Sequence, residues 1–270
     1  MIEFNKRNKY MFIKKKLNKI LIFSFLLSIF FAFAQSILDF NKEKYYKLEI
    51  NQFDCVVLNS YPQTVIDIKN KKNKSIIKLK THGTLNEYNL MSSNINDGSI
   101  TDAKKYLQSS DLIDYSEENI EFIYNKLQLS ALSEFQCAKT ILNFLSAVIK
   151  YDRKLAEEIS LGSCYGMPAS WVLKNQKGTC GEYANLFIAL MRLRGIPCKF
   201  ITGLYYSERQ STFHAWAEFY DNKKGWVAVD PQGAMIGVTS NHIKLMEGID
   251  LKETNFNMAN CNFKIKQITK

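Results

Sequence analysis

Between residues 178 and 231 the hydrophobic period of the chain changes once, and that change limits the folds open to it. The stretch GTCGEYANLFIALMRLRGIP carries Ala184, Phe187, Ile188 and Met191 at helical spacing. This predicts a helix from close to Cys180 to about Arg194, stopped by Gly195 and barred from continuing by Pro197. Three strand-like runs follow: KFITGLYY, TFHAWAEFY and GWVAVD. The last two are separated only by a polar turn around Asp221–Lys224, so they should form an antiparallel hairpin. A helix feeding consecutive short strands implies an α+β fold, with the helix packed on an antiparallel sheet.

Upstream the pattern divides near residue 116. Residues 35–115 read as a small β-rich region, in which TVIDIKN and SIIKLKT flank a Lys/Asn turn as a hairpin. From residue 116 to 270 the chain reads as the main domain. SEENIEFIYNKLQL fits a helix with Ser116 as its cap. In the next helix Ser133 and Gln136 make a capping box, ahead of a stripe of Ala138, Ile141, Leu142, Leu145, Val148 and Ile149. A short helix is expected around Ala169–Lys174. The tail from Pro231 onward is mixed, and His242 and Lys244 within it lie beyond the expected core with no assigned role.

The first 34 residues read as a secretory signal peptide. Basic residues precede the apolar run ILIFSFLLSIFFAFA, which ends in Ala32-Phe33-Ala34, a small-x-small cleavage pattern. The run is about 15 residues, short of the roughly 20 that span a bilayer. The mature chain is therefore expected to start at Gln35, to be periplasmic or extracellular, and to have no stable membrane insertion. The leader also accounts for most of the charge. Removing its seven basic residues and one acid from a net +10 leaves +4, which is ordinary, and no nucleic-acid motif is present. Export permits disulfides. Yet Cys55, Cys137, Cys164, Cys180, Cys198 and Cys261 are irregularly spaced, and most read as small buried residues. No metal-ligand spacing occurs, so no metal and no cofactor are expected.

Three residues carry chemistry only in combination. Cys180 begins a predicted helix, where unpaired backbone N–H groups and the helix dipole favour a thiolate. Gly178 before it lets the chain turn into the helix and lets a substrate approach. His214 shares a strand face with Trp216 and Glu218, opposite Phe213, Ala215, Ala217 and Phe219. Asp230 ends the next strand. If Phe219 pairs with Gly225, His214 lies opposite Asp230 on one face, with side chains roughly 5 Å apart. A thiol, a base and a group that orients the base are what nucleophilic catalysis requires.

These residues resemble the transglutaminase-like superfamily, whose fold is related to the papain-like cysteine proteases. The resemblance rests on GTCGEYANLFIALMRLRGIPCKFITG, FHAWAEFY, GWVAVDPQ and the lead-in Ile149-Lys150-Tyr151-Asp152, and spans roughly residues 130–250. It implies a triad of Cys180, His214 and Asp230, the same residues reached above. The expected activity is acyl transfer on a protein or peptide carboxamide through a thioester, resolved by water or by an amine. The Cys180 N–H is an expected oxyanion donor, with Trp171 or Gln176 as candidates for a second and Trp216 as a candidate pocket wall. Glu182 and Tyr183 read as structural. No D-x-D-x-D-G calcium loop is present. The alternative is a catalytically silent binding module on the same fold.

Overall fold

Helix α5, Cys180–Leu193, is surrounded by protein on every side. All residues from Glu182 to Arg192 are buried. The expected one-sided stripe is therefore too narrow, and a helix buried all round belongs at the centre of a domain. It is enclosed by strands β6 (Cys198–Tyr205) and β7 (Thr212–Asp221) and by helices α2 (Glu134–Val148) and α4 (Ala169–Asn175). Leu186, Phe187, Ile188, Leu190 and Met191 are fully buried there, and each such side chain stabilises by about 1.5–3 kcal/mol. The computed structural model describes residue 40 and residues 42–51, 57–85, 103–254 and 261–270. The expected leader, its cut after Ala34 and Cys55 lie outside the described residues.

Two further α-helices are α1 (Glu118–Lys126) and α3 (Arg153–Ser160). The Ser133–Gln136 capping box starts α2 as its sequence implies. Helix α1 starts one residue later than expected. A turn closed by Glu117 N–H to Asp114 O takes in Ser116, and Glu117 becomes the cap. Helix α3 is an addition to the sequence reading; Asp152 caps it by accepting from the Lys154 and Leu155 N–H groups.

Two antiparallel sheets complete the unit. One has the order β10-β6-β7-β8-β9, with β8 at Gly225–Asp230, β9 at Met235–Ile236 and β10 at His242–Gly248. Its Phe200, Ala215, Ala217, Phe219, Val227 and Val229 face the helices. The other sheet has the order β11-β1-β3-β2, with β1 at Lys44–Ile50, β2 at Gln63–Lys71, β3 at Lys74–Thr81 and β11 at Phe263–Ile268. The expected β2–β3 hairpin is present, but its sheet also takes a strand from the C-terminus, with Tyr45 paired to Ile268. A short parallel pair joins β4 (Lys150–Tyr151) to β5 (Lys177–Gly178) just before α5. Among the described residues no helix is long and apolar enough to cross a membrane, and Cys137, Cys164, Cys180, Cys198 and Cys261 are free thiols.

Candidate active site

Cys180 is held by the turn that starts its helix. Glu182, 1% exposed, reaches back to accept from the Thr179 N–H at 2.8 Å and the Thr179 hydroxyl at 2.7 Å. It also accepts from the Met167 N–H at 3.0 Å. A carboxylate with three donors tolerates burial. Gly178 has its own reason: a Cβ there would lie 2.4 Å from Glu182 Cβ. The glycine leaves room for the carboxylate behind Cys180, a sharper requirement than a flexible approach to the helix. The lead-in is tied down beside it. Asp152 N–H donates to Gly178 O at 2.9 Å, and Tyr183 OH donates to Ile149 O at 2.6 Å.

The hairpin register differs from the expected one by two residues. Asp221 pairs with Gly225, and Ala217 with Val229. Asp221 belongs to the ladder because its carboxylate accepts from the Lys223 and Lys224 N–H groups, which tightens the turn. A shift of two keeps the side-chain face. Asp230 then stands beside Trp216 and meets His214 diagonally, with His214 Nε2 2.9 Å from Asp230 Oδ2. Asp230 Oδ1 accepts from the Gly233 N–H at 3.1 Å.

His214 and Cys180 line the same cavity, and Cys180 is one of the neighbours that raise the His214 pKa. With Nε2 on the carboxylate, Nδ1 is the nitrogen left for the thiol. Burial opposes a charge on His214, but Asp230 and Cys180 overcome it, and its pKa is pushed up to about 10. Burial likewise opposes the Asp230 charge, yet His214 and His242 hold that carboxyl far below the usual range. The imidazole is thus protonated and the carboxylate ionised at neutral pH.

His242 is the residue that sequence reasoning missed. It is buried, not beyond the core, and its Nε2 lies 3.3 Å from the same Asp230 Oδ2. Lys244 is buried too and forms an ion pair with Glu218. A polar residue alternating with Ile243 and Leu245 in a strand was the available signal. Ligand atoms of His214, Asp230 and His242 lie within 4.8 Å of one another, a set with the donors for a metal ion.

Two cavities meet at Cys180. One, about 40 Å³, is lined by Ile159, Phe200, Thr202, Phe213, His214 and Leu251, among others. The Thr202 hydroxyl is buried there with no hydrogen-bond partner. The other is an open groove of about 320 Å³ bounded by Tyr151, Ser160, Gln210, Thr212 and Phe263. Of the sequence-nominated pocket residues, Trp216 is 1% exposed and stacks at 6.1 Å from the His214 ring, lining neither cavity. Trp171 packs against the helical core with Lys177 Nζ 5.7 Å from its ring. Gln176 is an exposed left-handed turn residue whose carbonyl accepts from the Lys150 N–H. Neither Trp171 nor Gln176 lines a cavity beside Cys180.

Residues 123–231 match the family model described as the transglutaminase-like superfamily. A protein-glutamine gamma-glutamyltransferase from Pseudomonas aeruginosa is 28% identical over 71 residues, 23% of this chain. The match spans 11% of that relative's length. Among solved structures, a candidate cysteine protease from Cytophaga hutchinsonii superposes with a TM-score of 0.55 at 14% identity, covering 84% of this chain and 86% of that one. The likeness is one of fold. The periplasmic domain of TgpA from Pseudomonas aeruginosa gives 0.46 at 14% identity, covering 72% and 70%.

Proposed function

We propose, from the match of residues 123–231 to the transglutaminase-like superfamily model, that this protein is a cysteine-nucleophile acyl-transfer enzyme acting on protein or peptide carboxamides. The observation that supports the reading is the position of His214, 2.9 Å from Asp230 and sharing a cavity wall with Cys180. Cys180 Sγ attacks the carbonyl carbon, forming the C–S bond and an oxyanion. The Cys180 backbone N–H, at the start of α5, is the natural donor to that oxyanion. His214 gives its proton to the leaving nitrogen as the C–N bond breaks, which leaves a thioester. An incoming water or amine then loses a proton to His214 and displaces the thiol.

Hydrolysis is the outcome this site favours. The groove beside Cys180 is open, so water reaches the thioester. The complete Cys180, His214 and Asp230 set argues against a silent binding module. Residues 1–34 are proposed as an export leader cut after Ala34, and intact-mass analysis of secreted protein tests that.

The decisive experiment incubates the protein and its Cys180→Ala variant with a glutamine-containing peptide, with and without a primary amine. Mass spectrometry reads the products. Deamidation or cleavage that depends on Cys180 supports hydrolysis, and amine addition supports crosslinking. Product formation that survives Cys180→Ala would sink the proposal, and no reaction in either protein would favour the binding module.

A further inference from the structure

Strand β10 brings a second imidazole to the carboxylate that serves His214. His242 Nε2 is 3.3 Å from Asp230 Oδ2, while His214 Nε2 is 2.9 Å from the same oxygen. On the far side of the ring the Thr239 backbone N–H points at His242 Nδ1 from 3.1 Å, and the Thr239 hydroxyl lies 3.0 Å away. A backbone N–H can only donate, so Nδ1 is the accepting nitrogen. The Thr239 carbonyl also lies 3.3 Å from Nδ1, but it already accepts from the His242 backbone N–H at 3.0 Å. The proton of a neutral His242 therefore sits on Nε2 and is donated to Asp230.

The surroundings favour that neutral state. The titratable groups facing the ring are Asp230, His214 at 5.4 Å and Tyr205 at 5.1 Å between ring centroids. Burial holds His242 below the ordinary histidine range, and the nearby His214 charge acts in the same direction against the pull of Asp230. Trp216 closes another side at 5.3 Å. Gly203 keeps this part of the sheet open, since a Cβ there would lie 2.4 Å from the Trp216 indole.

We propose that His242 is a positioning residue, a neutral Nε2–H donor that fixes the Asp230 carboxylate and shares its charge. The proposal rests on the reading of Cys180 as nucleophile and His214 as its acid and base. A carboxylate serving two imidazole donors is a weaker acceptor toward each. Without His242 it would hold the His214 proton more tightly, and His214 would be a poorer acid toward the leaving nitrogen. The same three side chains have the donors for a metal, but both Nε2 atoms already address one carboxylate oxygen and Nδ1 of His242 is engaged.

Imidazole ¹⁵N spectra of the unmodified protein test the tautomer without a substrate or a variant. Above the ordinary histidine range His242 should be neutral with its proton on Nε2. The pH profile of Cys180 alkylation by iodoacetamide tests the tuning. In His242→Leu its alkaline limb should move up by about half a unit or more, and in His242→Gln, which keeps an amide donor, it should stay near the original. On the substrate found for Cys180, His242→Leu should lower kcat about 5–20-fold with KM within about twofold. A proton on Nδ1, an unmoved or lowered limb in a folded His242→Leu, or a Gln variant that behaves like the Leu variant would overturn the proposal. Loss of Cys180 reactivity on chelation, restored by zinc, would also overturn it and assign the cluster to a metal. Failure of the underlying reading has a different sign: Cys180 would then label no faster than the other cysteines.

Discussion

One oxygen of Asp230 meets two imidazoles, and the pH behaviour of the protein should follow from that. The His214 pKa is raised from 6.5 to about 10 in the folded chain. Its stabilising contribution is therefore complete below pH 6.5 and is lost as the pH climbs toward 10. Asp230 is shifted the opposite way, so its contribution is present above the ordinary 3.8 and is lost only in strong acid. In Asp230→Asn the alkaline loss should shrink, as measured by urea unfolding at a series of pH values. Turnover in that variant should fall by roughly 10³-fold or more, because a neutral amide cannot stabilise the His214 charge and its NH2 would face the Gly233 N–H donor. Thr202 makes a second residue-scale prediction. Its buried hydroxyl has no partner in the free protein. Thr202→Val should therefore raise stability by about 1 kcal/mol in thermal unfolding. The same change should raise KM if substrate is what satisfies the hydroxyl.

Elements decide how accurately those residues are placed. The period change after Gly195 and the hairpin between β7 and β8 are legible in the sequence, because helix and strand periods differ sharply. The register is not. Its parity follows from the alternation of Phe213, Ala215, Ala217 and Phe219, but the two-residue offset depends on whether Asp221 closes the turn with its side chain, and periodicity carries no trace of that. Gly178 is a similar case. Its need for a missing side chain comes from Glu182 one helical turn later, a contact that exists only once α5 has formed. Gly178→Ala should cost about 1–3 kcal/mol by urea unfolding, as overpacking does. It should also slow iodoacetamide labelling of Cys180, since relief of the clash moves the helix start. Unchanged stability with unchanged labelling would mean that the turn adjusts freely.

At the scale of the whole molecule, the N-terminal sheet backs the strand that carries His242. Gln63 donates to Lys244 O at 2.9 Å and accepts from Lys244 N–H at 3.0 Å. Thr81 and Tyr46 donate through their hydroxyls to Ser240 O, and Thr84 N–H donates to Val238 O at 2.6 Å. The Lys244–Glu218 pair lies beneath this layer with both side chains 4% exposed. Lys244→Leu alone should destabilise by about 3–5 kcal/mol, because it strands a buried carboxylate, while adding Glu218→Leu should recover most of the loss. Denaturant unfolding of the two single variants and the double variant checks this. The bonds between the two sheets were not legible beforehand. Their partners are separated by more than 150 positions, and a local pattern is blind to such pairings.

The pairing of β11 with β1 has a consequence for the order of assembly. One neighbour of β1 is β3, some thirty residues away, but the other comes from the last ten residues of the chain. Closing so long a loop is entropically slow, so contacts of this kind form late. Until residues 263–268 arrive, the outer edge of β1 presents unpaired backbone groups that another chain could pair with. A growing or partly unfolded chain is thus most prone to self-association through its first strand, and pulse-labelled hydrogen exchange should find β1 protected after α5.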